Sequence, residues 1–235
     1  QRLQRGRAAV RGHGPETVLL MAAGPSAKQV TQIKVLLFVA ALLPFIWGAW
    51  QVVQGVPVDP LAYITHQSGD WALYLLCITL AVTPLRRLSG WNWLLKLRRM
   101  LGLFAFFYAL LHFIAFFWFD HFFDIASMLR DVAKRPFILV GFIAFLMLIP
   151  LAATSTNGMI RRLGGKRWQW LHRLIYLVAP LAVLHFWWMK AAKNNLAQPM
   201  LFAVIVAVLL GLRIYWSRMK ARAQASTPAP HRRSA

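Results

Sequence analysis

The chain has 235 residues, 59% hydrophobic and 14% charged, with a mean hydropathy of +0.54, a composition that excludes an ordinary soluble domain and predicts one membrane domain. The formal net charge of +21 raises nucleic acid as a partner, but Lys and Arg fall between apolar runs instead of along one face, which argues against a nucleic-acid reader and for cytoplasmic loops. Cys77 is the single cysteine and there is no CxxCH or paired CxxC, so an intrachain disulfide, covalent haem, structural zinc and iron–sulfur ligation all lack their usual residues and any metal is left to histidine.

Residues 1–27 are rich in Arg, Gly and Ala and hold no apolar stretch long enough for a signal-peptide core; Met21 opens MAAGPSAKQVTQIK, which reads as a native start, so the first twenty residues are set aside. The membrane domain is expected over 28–217 and a basic cytoplasmic tail over 218–235. Ile33 to Val53 is the first span, with Lys28 and Lys34 before it placing that end in the cytoplasm. Gln54 to Asp70 has no Lys or Arg and reads as an outer loop containing His66-Gln67-Ser68-Gly69. Trp71 to Leu85 is a second apolar run, short unless it begins near Leu61, and Arg86 and Arg87 return it to the cytoplasm.

A basic loop from Ser89 to Met100 leads into the third span, Leu101 to Phe119, which carries His112. A mixed loop with Asp124, Arg130, Asp131, Lys134 and Arg135 follows, then the fourth span, Phe137 to Ala153. Thr156 to Arg167 is the clearest cytoplasmic loop, with Arg161, Arg162, Lys166 and Arg167. The fifth span, Trp168 to Met189, holds His172 and His185; Lys190 to Gln198 is a short outer loop, and Met200 to Trp216 is the sixth span before the basic tail. The expected fold is therefore all-α and polytopic, with six spans and both termini cytoplasmic. No internal repeat, P-loop or GxGxxG is visible, and Gly164-Gly165 is a loop signal only.

Imidazole in lipid surroundings is costly and faces a bundle interior where it finds a partner, a metal or a proton pathway. His172 and His185 are 13 residues apart, about 20 Å along a helix, so they lie near opposite membrane faces. Counted from their inner ends, His112 is 11 residues into its span and His185 is 14, depths that agree to within roughly 5 Å. That pair suits the two axial positions of a low-spin b-type haem on the outer side, with Phe104, Phe106, Phe107, Tyr108, Phe113 and Trp187 as pocket wall. The blander readings are that these aromatics pack or face lipid and that each histidine is merely hydrogen-bonded across helices. His172 sits at the inner interface, where a plain polar role suffices; His13 and His231 are terminal, and His121 reads as an outer-interface residue. His172 and His185 share a helix face only if the helix bends, for which Pro180 is available. Arg98, fourteen residues before His112, is placed to contact haem propionates and is a poor iron ligand. Two rivals stand beside the cytochrome: a small transporter or proton channel with His112, His172 and His185 as relay groups, and a cofactor-free membrane anchor.

The ordered motifs AKQVTQIKV (27–35), LLPF (42–45), THQSG (65–69), TPLRR (83–87), RRMLGL (98–103), LLH (110–112), TSTNGMIRRLGGKRWQWLHRLIYL (154–177) and LHFWW (184–188) resemble the ferric-reductase-type membrane domains. Within these they are most similar to the haem-binding membrane subunits of bacterial periplasmic methionine-sulfoxide reductase systems. The resemblance runs from Met21 to about Arg222. It implies an electron route from a cytosolic flavin reductase or the quinone pool, through haem b, to a periplasmic molybdopterin reductase that repairs oxidised methionines. It also implies FMN, outer-haem ligands at His112 and His185, and an inner-haem ligand at His172. The four-histidine pattern of NADPH oxidases is broken, since Arg98 stands where the inner partner would be, so one or two haems are implied. With no dehydrogenase domain after the sixth span, nicotinamide oxidation belongs to a separate protein.

Overall fold

A computed structural model describes residues 24–191 and 195–225, and the expectations for residues 1–23 and 226–235 lie outside the described residues. Among the described residues there is no strand, and six helices are long and apolar enough to cross a membrane. The all-α, six-span expectation holds.

Helix α1 (Ala27–Val53) starts in a capping box, in which the Ser26 hydroxyl accepts from the Gln29 N–H and the Gln29 side chain accepts from the Ser26 N–H. Helix α2 (Pro60–Ser89) begins with Asp59 accepting from the Ala62 N–H and Pro60 at the first helical position; it ends at Gly90, whose φ of 74° is the left-handed cap that glycine adopts without cost. The second span thus begins close to Leu61, the earlier start that its length required, and THQSG lies inside it and not in the outer loop read over 54–70. The lack of Lys and Arg marks the side of the membrane but not where the helix starts, and the apolar positions over 60–70 are too sparse to fix that start.

A short 3₁₀ turn over Asn92–Leu94 leads into α3 (Leu95–Ala115), which ends in a wider π turn over Phe116–Asp120. The expected mixed loop contains a helix, α4 (Ile125–Lys134), started by Asp124 accepting from the Ala126 and Ser127 N–H groups; it buries Met128 and Val132 and turns its charges outward. His121, on the preceding turn, reaches Ser127 Oγ at 3.1 Å. Helix α5 (Pro136–Ala153) follows at once, and the basic inner loop holds α6 (Asn157–Leu163) and α7 (Gly165–Leu171). A 3₁₀ turn over His172–Leu174 separates α7 from α8 (Ile175–Ala191), and α9 (Ala197–Ala225) completes the bundle. His172 and His185 are thus not on one uninterrupted α-helix. The change of pitch at 172–174 lies between them, as does Pro180 within α8.

The closest helix pairs are α2 with α3 and α5 with α8. The core lies where they meet: Leu80 and Tyr108 are 1% exposed, Val178 1% and Ala179 0%. The outward faces of α1 and α9 keep large apolar side chains exposed, among them Leu36, Trp47, Trp50, Leu201 and Val204, as lipid-facing surfaces require. Helix α1 is tied to the core by Tyr108, whose hydroxyl enters the α1 hydrogen-bond ladder beside Pro44, donating to Ala41 O at 2.7 Å and accepting from the Phe45 N–H at 3.1 Å.

Candidate functional site

The two tight helix pairs each deliver one histidine to the same point. His112 near the end of α3 and His185 near the end of α8 face each other with ring centroids 6.0 Å apart and planes at 78°. Depth counting predicted their meeting, and side-chain contact now brings it about.

Each imidazole is held by a carbonyl of the neighbouring helix. His112 Nδ1 lies 2.8 Å from Thr65 O on α2, and His185 Nδ1 lies 2.7 Å from Phe137 O on α5. A carbonyl only accepts, so both Nδ1 atoms carry the proton and both Nε2 atoms carry the lone pair. A helix carbonyl is normally shielded by the residue four positions on, and in both cases that residue is glycine. A Cβ built at Gly69 would lie 3.0 Å from His112 Nδ1, and one at Gly141 would lie 2.6 Å from His185 Nδ1. The glycines leave the space through which each ring reaches its carbonyl.

The two half-sites repeat one construction: carbonyl to histidine spans 47 residues in one and 48 in the other. No repeat was visible in the sequence, because only a carbonyl, a glycine and a histidine recur. The same device appears a third time, where Gln67 Nε2 donates to Pro44 O at 3.3 Å and a Cβ at Gly48 would collide with the Gln67 amide. THQSG thereby acquires a role for several positions. Thr65 offers the carbonyl, Gln67 fastens α1, Ser68 Oγ donates to Ile64 O at 2.7 Å within its own helix, and Gly69 clears the way for His112.

Among the described residues no group of three or more His, Cys, Asp or Glu could hold a bare metal ion. Two imidazoles in contact, each with its Nε2 lone pair left over from the carbonyl bond, are instead the donor chemistry that would hold a haem iron. The donor set fits the group. Of the expected wall, Phe106 and Phe113 stack on Phe145 of α5 with centroids at 6.1 and 4.6 Å, while Phe104, Phe107 and Tyr108 turn to α1. Those three knit α1 to the bundle.

His172 and Arg98 are brought together elsewhere, in an inner cavity of about 420 Å³ that Arg99, Arg173 and Tyr176 also line. The His172 ring stacks on Trp168 with centroids 3.9 Å apart, and its Nε2 is 3.0 Å from Thr154 Oγ1. The single Thr154 hydroxyl proton goes to Pro150 O at 2.6 Å, so His172 Nε2 is the donor in this contact. Iron ligation through that atom requires the bond to be given up. Trp168 Nε1 donates to Thr154 O at 2.9 Å and locks the same corner. Sequence reasoning passed over Arg213 on α9, which donates to Tyr176 Oη at 2.6 Å and Leu80 O at 2.9 Å and lies over the Tyr176 ring. The signal was present: a lone arginine inside an apolar run. Gly69 and Gly141 carried no comparable signal.

The family described as ferric reductase like transmembrane component matches residues 68–183, a stretch holding Gly69, His112, Gly141 and His172. Relatives named protein-methionine-sulfoxide reductase heme-binding subunit MsrQ match most of the chain. The protein from Herminiimonas arsenicoxydans is 61% identical over 202 residues, covering 86% of this chain and 93% of its own. That from Ralstonia nicotianae is 53% identical, covering 80% and 88%, and that from Bordetella pertussis 52%, covering 84% and 98%. No solved structure matches. Six membrane-spanning helices, a converging histidine pair and identity of this extent lead to one conclusion: the chain belongs to the MsrQ family of ferric-reductase-like multi-pass membrane proteins.

Proposed function

We propose that the chain is the b-type cytochrome subunit of a methionine-sulfoxide reductase system. It carries electrons across the bacterial inner membrane to a periplasmic molybdopterin-dependent catalytic subunit, from a cytosolic flavin reductase or the quinone pool. The observation that carries this reading is the 6.0 Å approach of His112 and His185 with both Nδ1 atoms committed to carbonyls, together with the haem-binding subunit named in the relatives. When bound there, haem supplies one-electron transfer. His112 and His185 would hold the iron, while Thr65 O and Phe137 O fix the orientation of the two rings and apolar side chains such as Phe137, whose ring lies 6.1 Å from that of His185, lie against them.

The cavity at His172 and Arg98 is the place we assign to a second redox group, an inner haem or FMN, whose carboxylates or phosphate Arg98 and Arg173 would neutralise. Both termini are assigned to the cytoplasm because Lys28, Lys34, Arg218, Lys220 and Arg222 lie on the side of the basic loops. The proton-relay alternative is weakened by the same hydrogen bonds: a relay needs both ring nitrogens exchangeable, and each Nδ1 here faces a helix carbonyl that cannot pass a proton on.

The test is a dithionite-reduced minus oxidised spectrum with haem quantification for the wild type, His112→Ala, His185→Ala and His172→Ala. A b-type spectrum lost in the first two variants is expected. A folded wild-type protein that stays colourless after haem supplementation would overturn the proposal, and proton flux would then be measured.

A further inference from the structure

Between α1 and α3, a groove of about 670 Å³ opens sideways from the bundle. Three cations edge it, Lys34 on α1 and Lys96 and Arg99 on α3, and its floor is apolar, with Phe38, Leu103 and Phe107. The polar and apolar parts are segregated along its length. On α1, Lys34, Phe38 and Leu42 succeed one another at four-residue steps on one helix face, and on α3 the cations at 96 and 99 give way to apolar residues through Phe107. Eleven helical steps from Lys96 to Phe107 give the groove a length of roughly 16 Å. That is about half of a hydrocarbon core roughly 30 Å thick.

Among the described residues the charge at the mouth has no acidic counterpart. All six acidic residues are Glu16, Asp59, Asp70, Asp120, Asp124 and Asp131. Asp59 and Asp70 belong to the outer half of α2, and Asp120, Asp124 and Asp131 to the outer connection between α3 and α5. Among the described residues lining the groove none is acidic. Arg99 Nη1 donates to Asn157 Oδ1 at 2.7 Å, a neutral partner that orients the guanidinium without neutralising it. Three positive groups therefore meet at the head of an apolar furrow that leads along the helices towards mid-membrane. An amphiphile with no net charge would leave this charge uncompensated, whereas one whose phosphate headgroup is net negative satisfies both parts.

We propose that this groove is a binding site for an anionic phospholipid of the inner leaflet, with its phosphate between Lys34, Lys96 and Arg99 and one acyl chain on Phe38, Leu103 and Phe107. It rests on the cytochrome reading only for which leaflet supplies the lipid. Seated there, the lipid fills the cleft between α1 and α3 and fastens the first helix, which Tyr108 and Gln67 otherwise hold near its outer half.

The test uses the full chain purified in neutral detergent and then titrated with phosphatidylglycerol or phosphatidylcholine. Bound lipid is counted by native mass spectrometry and thermal melting is followed in parallel. The expected result is a retained lipid population selective for phosphatidylglycerol, whose affinity falls roughly hundredfold when Lys34→Gln, Lys96→Gln and Arg99→Gln are combined. The control combines Arg161→Gln, Arg162→Gln and Lys166→Gln, which removes as many inner cations away from the groove and is expected to keep the selectivity. Equal losses in both triple variants would reduce the effect to general surface charge and overturn the site. Displacement of the lipid by free FMN, or by a neutral short-chain quinone whose affinity ignores the triple variant, would also overturn it, by making the groove a cofactor site. Should the first triple variant fail to fold, the wild type alone decides, since equal binding of the two lipids is incompatible with the proposal. Haem content is measured throughout, so that a colourless protein that still selects phosphatidylglycerol separates failure of the cytochrome reading from failure of this one.

Discussion

Gly141 on α5 and His185 on α8 are placed so that a single added methyl group would collide with the imidazole: a Cβ at Gly141 would lie 2.6 Å from Nδ1. The hydrogen bond of that nitrogen to Phe137 O, one helical turn away, exists because the space is empty. The helix neighbour of His112 has the same feature in Gly69, with 3.0 Å in place of 2.6 Å.

Gly141→Ala is therefore expected to displace His185 and lower haem affinity by roughly 10–100-fold, the usual cost of losing an outer-shell partner of a metal-bound histidine. Gly69→Ala is expected to do less, because the His112 ring needs to give way by only a few tenths of an ångström. Haem titration of the apoprotein measures both. Equal and unchanged affinities would remove the positioning role from the glycines. A helix-propensity effect alone would raise stability in both variants and leave the spectrum as it was.

Tyr108→Phe removes a hydroxyl interposed between Ala41 O and the Phe45 N–H. These two groups are one turn apart on α1 and can bond each other once it is gone, so the loss is limited to about 1 kcal/mol. The measurement is the thermal midpoint, expected to fall by roughly 2–4 °C, with the haem spectrum unchanged.

Arg213→Met removes charged hydrogen bonds to Tyr176 Oη and Leu80 O. Such bonds contribute about 1.5–3 kcal/mol, and relief from holding a charge among apolar neighbours offsets part of this. A net destabilisation is expected in thermal melting. Arg213→Lys is expected to recover little, since one ammonium does not bridge two acceptors as the guanidinium fork does.

Thr154→Val takes away the acceptor of His172 Nε2 while leaving the Trp168 bond to Thr154 O intact. The outer histidine pair is on separate contacts, so the absorbance of its haem is expected to stay at wild-type amplitude. Stability is expected to drop by about 1 kcal/mol. Any second redox group held at the inner cavity would change its midpoint potential, which a potentiometric titration reads independently of the first.

Local chemistry alone determined much of this protein. Apolar runs of span length with Lys and Arg between them specify six helices, because backbone groups in lipid must bond within the segment. The rise per residue was enough to put His112 and His185 at one depth. The start of the second span near Leu61, which places THQSG in a helix, was legible only as an alternative, and the helix over 125–134 was not legible, since short or half-polar helices take their stability from what they pack against. Tertiary structure alone decided that the imidazoles face each other, which nitrogen carries the proton, and that Gly69 and Gly141 admit them to their carbonyls. It also separated His172 and Arg98 into a cavity of their own and turned Phe104, Phe107 and Tyr108 away to α1. The physical reason is that depth follows from counting along one helix, whereas facing depends on the rotation and closeness of two helices that are distant in sequence. That rotation is set by small residues and carbonyls, which leave almost no trace in composition or hydropathy.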